Sequence, residues 1–321
     1  MYGGNTVKFR YVYGPVPSRR LGASLGINPV PFKTCSYSCV YCQLGRTRNL
    51  TATRQYYFPV KAILDEVKIS IEREDIDYIT IVGEGEPTLY SGIGRLILGV
   101  KKLTETPVAV ITNGSLLSDV QVRDELMAAD VVLPTFDAGD RETFRKINRP
   151  HHNISFEDMV EGLKMFAREY TGRLWVEIML VKGINDSEEE LRRIKEYLHD
   201  IEPERVYLNI PIRPPAESWV EPPDESGIIL AHSIIGESVS IAGYERGKFS
   251  LSGFDSPMDA LLVLIQRHPM REEQVIKALK DTVSSDYVRE MMSGLVASGR
   301  VKRVKYRGEI FYLSVEVKRD E

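Results

Sequence analysis

The 321-residue sequence predicts an α/β protein, a partial (β/α)6 TIM-like barrel followed by a small C-terminal winged-helix-like domain. Two observations carry the class. Between about residues 21 and 210, short β-branched runs alternate with amphipathic helical stretches, the signature of a parallel sheet built from βα units. Beyond residue 252 the pattern changes to three helical stretches and two alternating strands.

Taken in order, strands are predicted over residues 24–28, 78–82, 108–112, 131–135, 175–181 and 206–210, each a short apolar run bounded by turn formers. Helices are predicted between them over 60–73, 93–103, 118–128, 155–170 and 187–198. In the fourth, Met159, Leu163 and Phe166 recur at helical spacing and should face the sheet. Residues 211–223 are proline-rich and can continue neither a helix nor a central strand; they read as an ordered loop over the barrel mouth, before a short helix over 228–235.

Two domains are expected, 1–252 and 253–321. In the second, helices over 257–266, 271–279 and 286–298 precede strands over 300–304 and 309–313, joined by a turn at Arg307-Gly308.

A net charge of −4 argues against a wholesale electrostatic nucleic-acid binder. No apolar run reaches the roughly 18 residues of a membrane span, and the first residues lack an export signal, so no membrane partner and a cytoplasmic location are expected.

The chain has three cysteines, in Cys35-Ser-Tyr-Ser-Cys39-Val-Tyr-Cys42. Three thiolates on one short loop can reach three corners of an iron-sulfur cubane and leave the fourth iron open. A structural zinc site takes four ligands, commonly as paired short-spaced sets; there is no second cysteine pair, though His151 and His152 could complete one.

The Cys-x3-Cys-x2-Cys spacing, with the aromatic Tyr41 before the last cysteine, resembles the radical S-adenosylmethionine (SAM) superfamily. The resemblance implies a [4Fe-4S] cluster held by Cys35, Cys39 and Cys42, whose open iron binds SAM. It further implies a reducing electron donor, reductive cleavage to a 5′-deoxyadenosyl radical, and hydrogen abstraction from a substrate. Tyr41 should lie near the adenine.

Other polar motifs fall at strand ends, where barrel ligand sites form. Gly83-Glu84-Gly85-Glu86-Pro87-Thr88 looks like the superfamily's Gly-Gly-Glu motif with Glu84 replacing its first glycine, which would set Glu84, Gly85 and Glu86 against the amino group of SAM. Thr112-Asn113-Gly114 is a turn that borders the SAM pocket in look-alike barrels. Thr135 and Asp137 can bond ribose hydroxyls, although a buried Asp can equally cap the next turn. Lys182 and Ile184 are placed near SAM, with Asn185 and Asp186 as helix caps. Substrate-facing candidates are Asn209, Arg213, Arg149, His151, His152, Arg19 and Arg20.

Val-Pro-Ser-Arg-Arg-Leu-Gly at residues 16–22 is similar to a branch distantly related to the wyosine-forming tRNA enzymes. Those carry extra cysteines for a second cluster, which this chain lacks. Arg300, Lys302, Arg303, Lys305 and Arg307 crowd the C-terminal strands and can contact phosphates or simply guard a strand edge; the helix over 286–298, with Asp286, Glu290 and the single Arg289, is a poor groove reader. The favoured substrate is accordingly RNA or a polypeptide presented by the C-terminal unit. The alternatives are a small-molecule enzyme whose tail buttresses the barrel, and an iron-sulfur redox-sensing DNA-binding regulator.

Overall fold

The computed structural model describes residues 9–240, 249–250, 256–280 and 283–315; the expected domain boundary at 252/253 lies outside them. The first half of the chain gives β1 (Val12–Ser18), β2 (Gly22–Ile27), the short β3 (Thr34–Cys35) and β4 (Asn49–Leu50), then α1 (Val60–Ile71), β5 (Tyr78–Ile81), α2 (Ile93–Lys101), β6 (Val108–Thr112), α3 (Val120–Leu126) and β7 (Val131–Pro134). The second half gives α4 (Arg141–Ile147), α5 (Phe156–Glu169), β8 (Arg173–Met179), α6 (Glu188–Ile201), β9 (Arg205–Asn209), α7 (Glu225–Ile235) and β10 (Val239–Ser240). The C-terminal unit comprises α8 (Pro257–Arg267), β11 (Met270–Arg271), α9 (Glu272–Leu279), α10 (Ser285–Ala297), β12 (Val301–Tyr306) and β13 (Glu309–Ser314).

Eight strands form one sheet in the order β1-β2-β5-β6-β7-β8-β9-β10. All neighbours are parallel except β1 and β2, and the two edges do not pair, which leaves a partial barrel. The six predicted strands are its interior, and their Val and Ile side chains, apart from Val82 and Ile111, are buried because helices cover the sheet. Met159, Leu163 and Phe166 of α5 are buried in that core. Ser155 and Ser187 cap α5 and α6, accepting from the N–H groups of Asp158 and Glu190.

Six elements, β1, β3, β4, α4, β10 and β11, lie outside the sequence expectation, and three of them show why. β1 contains Pro15 and Pro17, which argue against a central strand; here the strand is at the sheet edge, where a missing N–H is tolerated. α4 is only seven residues long, too short to show a period, and is set by Asp140, which accepts from Thr143 N at 2.8 Å. β11 is a two-residue strand whose register on β13 no local pattern marks.

The C-terminal unit runs helix, strand, helix, helix, hairpin, and its three strands order as β11-β13-β12. Leu261, Leu264, Val275, Val288, Met292 and Val301 belong to its own apolar cluster, against which Tyr13 and Val16 of β1 also pack. The unit thereby covers a sheet edge that would otherwise expose unpaired backbone. Arg267 at the end of α8 anchors it: Nη2 donates to Arg10 O at 2.6 Å, and the guanidinium lies 4.9 Å from the Tyr13 ring centroid. No described helix is long and apolar enough to cross a membrane.

Candidate SAM and cluster site

The cysteine loop follows β2 and is held from two sides. On one side it pairs with the turn after β5: Lys33 N donates to Glu84 O at 2.7 Å and Glu86 N to Thr34 O at 3.0 Å. Gly85 lies between these bonds, and a Cβ there would stand 1.7 Å from Thr34 O. Only glycine lets the two backbones approach this closely. On the other side the segment after α4 runs antiparallel to the loop, with Val40 N on Ile147 O (2.9 Å), Ser38 N on Asn148 O (3.0 Å) and His151 N on Ser36 O (2.8 Å).

That second brace carries Arg149 and His151, two of the residues read from sequence as substrate-facing candidates. Arg149 donates to Glu217, which also takes both Arg46 donors at 2.8 and 2.9 Å. Paired in this way, Glu217 is pushed down to about 2, chiefly by its bond from Arg46. His151 and His152 stack with ring centroids 4.1 Å apart and are not among the residues lining the cysteine cavity. Glu217 N also donates to Val40 O, so the proline-rich segment folds back onto the cysteine loop.

Cys35, Cys39 and Cys42 are half-buried and line one cavity of about 230 Å³ with Tyr41, Glu84, Gly85, Glu86, Thr112, Asn113 and Thr135. Its remaining wall is partly apolar, with Leu44, Val82 and Ile111. Asp137 and Lys182 do not line it. Ile184 is likewise off the lining, and the two residues read as caps act otherwise: Asn185 bonds Val181 N, Asp137 O and Met179 O, and Asp186 accepts from Gly183 N.

The carboxylates of the Gly-Glu-Gly-Glu turn are already engaged. Glu86 Oε1 accepts from Thr88 N (3.0 Å), Thr88 Oγ1 (2.6 Å) and Thr112 Oγ1 (2.6 Å), and Oε2 from Asn113 N (2.7 Å). Burial still pushes its carboxyl up. Glu84 Oε2 accepts from Asn28 Nδ2 at 2.7 Å and Oε1 from Arg267 Nε at 3.2 Å, a buried ion pair between the barrel and α8.

The thiols fit an iron-sulfur core. Burial pushes Cys35 up to about 12, with the Glu86 charge adding, and raises Cys39 and Cys42 as well; bare thiolates are therefore disfavoured until metal charge compensates them. Two side-chain amides donate toward sulfur at 3.6 Å, Asn113 to Cys35 and Asn148 to Cys39. Such donors tune a cluster's potential. The three thiols come from one short loop and line one cavity, which suits a core in which each binds a different iron.

The radical SAM superfamily model matches residues 30–194, about half of the chain, and spans all three cysteines. The chain belongs to the radical SAM superfamily. It is an enzyme of that superfamily, whose members use a [4Fe-4S] cluster and SAM. This radical SAM chain is 38% identical over 320 residues to the UPF0026 protein MJ1312 of Methanocaldococcus jannaschii, covering 96% of the chain and 97% of the relative. It is 42% identical over 207 residues to a UPF0026 protein of Synechocystis, covering 64% of the chain and 77% of the relative. Among solved structures, a radical SAM methyltransferase from Sphaerobacter thermophilus superposes with a TM-score of 0.50 over 70% of this chain and 67% of that one, at 17% identity, a likeness of fold.

Asp137, expected at a ribose, sits in an internal network instead. Its Oδ2 accepts from Tyr41 OH at 2.5 Å and Asn148 Nδ2 at 2.8 Å, and Oδ1 from Met179 N at 2.8 Å. Burial pushes it up to about 6 despite those donors. A carboxyl raised in the folded state adds stability that is complete below its ordinary value near 4 and is lost as pH rises through about 6. In the cluster-free protein, urea midpoints should therefore fall between pH 4 and 7, with Asp137 responsible for about 3 kcal/mol. Asp137→Asn should be less stable than wild type at low pH and should flatten that slope; an unchanged slope would show that Asp137 does not titrate there.

Proposed function

We propose that this enzyme cleaves SAM reductively and uses the radical fragment to take hydrogen from a substrate. The single observation that supports this most directly is the convergence of Cys35, Cys39 and Cys42 with Gly85, Glu86, Thr112, Asn113 and Thr135 on one cavity at the C-terminal ends of β2, β5, β6 and β7. The cluster, when bound, supplies one electron at low potential and an iron open to the amino and carboxylate groups of SAM.

The chain's own residues do the rest. The three cysteines hold the cluster. Gly85 lets the turn approach the cysteine loop, Glu86 keeps a buried negative charge beside the cavity, and Asn113 and Asn148 orient amide donors toward sulfur. Thr135 and the ring of Tyr41 line the space left for the nucleoside.

We place the division between barrel and C-terminal unit at about residue 252 and read the latter as winged-helix-like, which its order of elements and its own apolar cluster support. The exposed Arg300, Lys302, Arg303, Lys305 and Arg307 around the edge strand β12 suit either an RNA contact or a guarded edge. The docking contacts favour the buttress reading: besides Arg267 on Glu84, Tyr306 OH donates to Pro211 O at 3.0 Å. A substrate of low molecular mass is therefore preferred over RNA or a polypeptide.

The test is anaerobic reconstitution with iron and sulfide, addition of SAM and dithionite, and chromatography for 5′-deoxyadenosine, with Cys39→Ala as control. Product from wild type alone supports the reading, and the same assay with added metabolites, peptides or RNA ranks the substrate classes. No product from a protein carrying an intact cluster would defeat it.

A further inference from the structure

Tyr37 stands between Cys35 and Cys39, lines the cysteine cavity and is 2% exposed. Its place is fixed. The carbonyl accepts from Thr47 Oγ1 at 2.6 Å, the backbone pairs with Pro150, and the ring meets Phe144 of α4 edge-on, with centroids 5.4 Å apart. Its hydroxyl oxygen, however, is buried and has no hydrogen-bond partner.

Other tyrosines of the barrel do better. The hydroxyl of Tyr41 donates to Asp137 Oδ2, that of Tyr90 to Phe58 O at 2.5 Å and that of Tyr170 to Ala129 O at 2.8 Å. A buried hydroxyl without a partner forfeits its bonds to water and gains nothing in return, and phenylalanine would pack against Phe144 equally well. Such a group is explained by what binds beside it.

Burial, then the charges of Cys39, Glu86, Asp137 and Cys35, push the Tyr37 hydroxyl well above its ordinary value. It therefore keeps its proton and has those four groups as neighbours. The two carboxylates are already engaged, Glu86 by Thr88, Thr112 and Asn113, and Asp137 by Tyr41, Asn148 and Met179. What is left beside the hydroxyl is sulfur. A thiol is a weak acceptor, whereas a metal-bound thiolate or sulfide carries negative charge and accepts well. Asn113 and Asn148 already direct amides at Cys35 and Cys39, and Tyr37 would be a third donor.

We propose that the Tyr37 hydroxyl donates a hydrogen bond to sulfur of the bound cluster, at or beside Cys39, and raises the potential at which the cluster takes up its electron. A donor stabilises the reduced, more negative core more than the oxidised one. One electron enters the cluster and the proton stays on Tyr37. The proposal rests on the cluster reading, but its test needs no SAM and no turnover.

Full-length wild type, Tyr37→Phe and Tyr57→Phe are reconstituted with iron and sulfide and titrated with dithionite, the reduced cluster being followed by electron paramagnetic resonance. Tyr57 also has a buried hydroxyl without a partner but does not line the cavity, so it is the matched control. In Tyr37→Phe the ratio of reduced to oxidised cluster at the wild-type midpoint should fall about tenfold, a shift of about 59 mV; Tyr57→Phe should not shift. Tyr37→3-fluorotyrosine, a stronger donor of nearly the same shape, should move the midpoint upward, and it serves should the phenylalanine variant lose its cluster. In the cluster-free protein Tyr37→Phe should keep the wild-type urea midpoint, because the bond exists only with the cluster. An unchanged potential in Tyr37→Phe, an equal shift in Tyr57→Phe, or a lowered urea midpoint overturns the proposal. SAM cleavage is recorded separately on the same preparations: no 5′-deoxyadenosine beside the expected shift defeats the radical reading alone, and 5′-deoxyadenosine without the shift defeats this one alone.

Discussion

Gly85→Ala should leave the protein unable to retain its cluster. The added Cβ would lie 1.7 Å from Thr34 O and 2.6 Å from Thr34 C, both main-chain atoms, so no side-chain rotation relieves the contact. The loop must move, and the bonds Lys33 N to Glu84 O and Glu86 N to Thr34 O must stretch or open. Overpacking against backbone costs on the order of 3 kcal/mol, and the displaced strand is the one carrying Cys35. Iron and acid-labile sulfide per chain after anaerobic reconstitution should fall to a small fraction of wild type, with a lower urea midpoint. Gly183→Ala is the matched comparison. Its φ is +70° but nothing lies within 4 Å of the new Cβ, so it should lose only about 1 kcal/mol and keep its cluster. A full cluster in Gly85→Ala would show that the close approach is dispensable.

The contrast between those two glycines shows what the sequence could reveal and what it could not. Gly85 was legible as part of a motif, because it follows a β-branched strand and neighbours Glu86; its reason, the main chain of Thr34 pressed against it, was not. The same division runs through the site. Cys35, Cys39, Cys42, Thr112, Asn113 and Thr135 were readable because each sits within a few residues of a strand end or in a spaced motif, where the barrel gathers ligand groups. Asn148, whose amide reaches both Cys39 and Asp137, carries no local signal, since its partners lie in other loops and α4 before it is too short to show a period. The ion pair between Glu84 and Arg267 joins residues 183 positions apart. Arg149 and His151 illustrate the reverse difficulty: polar residues in a loop after a strand suggest ligand contacts, but whether they face a cavity or brace a neighbouring loop depends on pairing that no periodicity encodes. Arg19, Arg20, Asn209 and Arg213 come from that same group of candidates, and the fold brings those four to one cavity.

Glu86→Ala should be the most damaging side-chain substitution in the turn, and for a reason distinct from any bond to SAM. In the wild-type protein one buried carboxylate accepts from Thr88 N, Thr88 Oγ1, Thr112 Oγ1 and Asn113 N. It thereby ties the turn after β5 to the end of β6, and Asn113, one of those donors, is also the residue whose amide points at Cys35 sulfur. Alanine leaves those donors buried without an acceptor, and because unmade buried bonds cost roughly 1–3 kcal/mol apiece without adding simply, a loss of about 4 kcal/mol is expected. Glu86→Gln keeps one acceptor oxygen but turns an amide donor toward groups that themselves donate, so it should recover part of the stability and little of the geometry. Glu84→Gln, with one oxygen still available to Asn28 or Arg267, should be the mildest of the three. Urea midpoints in the cluster-free proteins should fall in the order wild type, Glu84→Gln, Glu86→Gln, Glu86→Ala. If Glu86→Ala is as stable as wild type yet fails to bind SAM by equilibrium dialysis, the carboxylate acts on the ligand directly, and the knitting role assigned to it here is wrong.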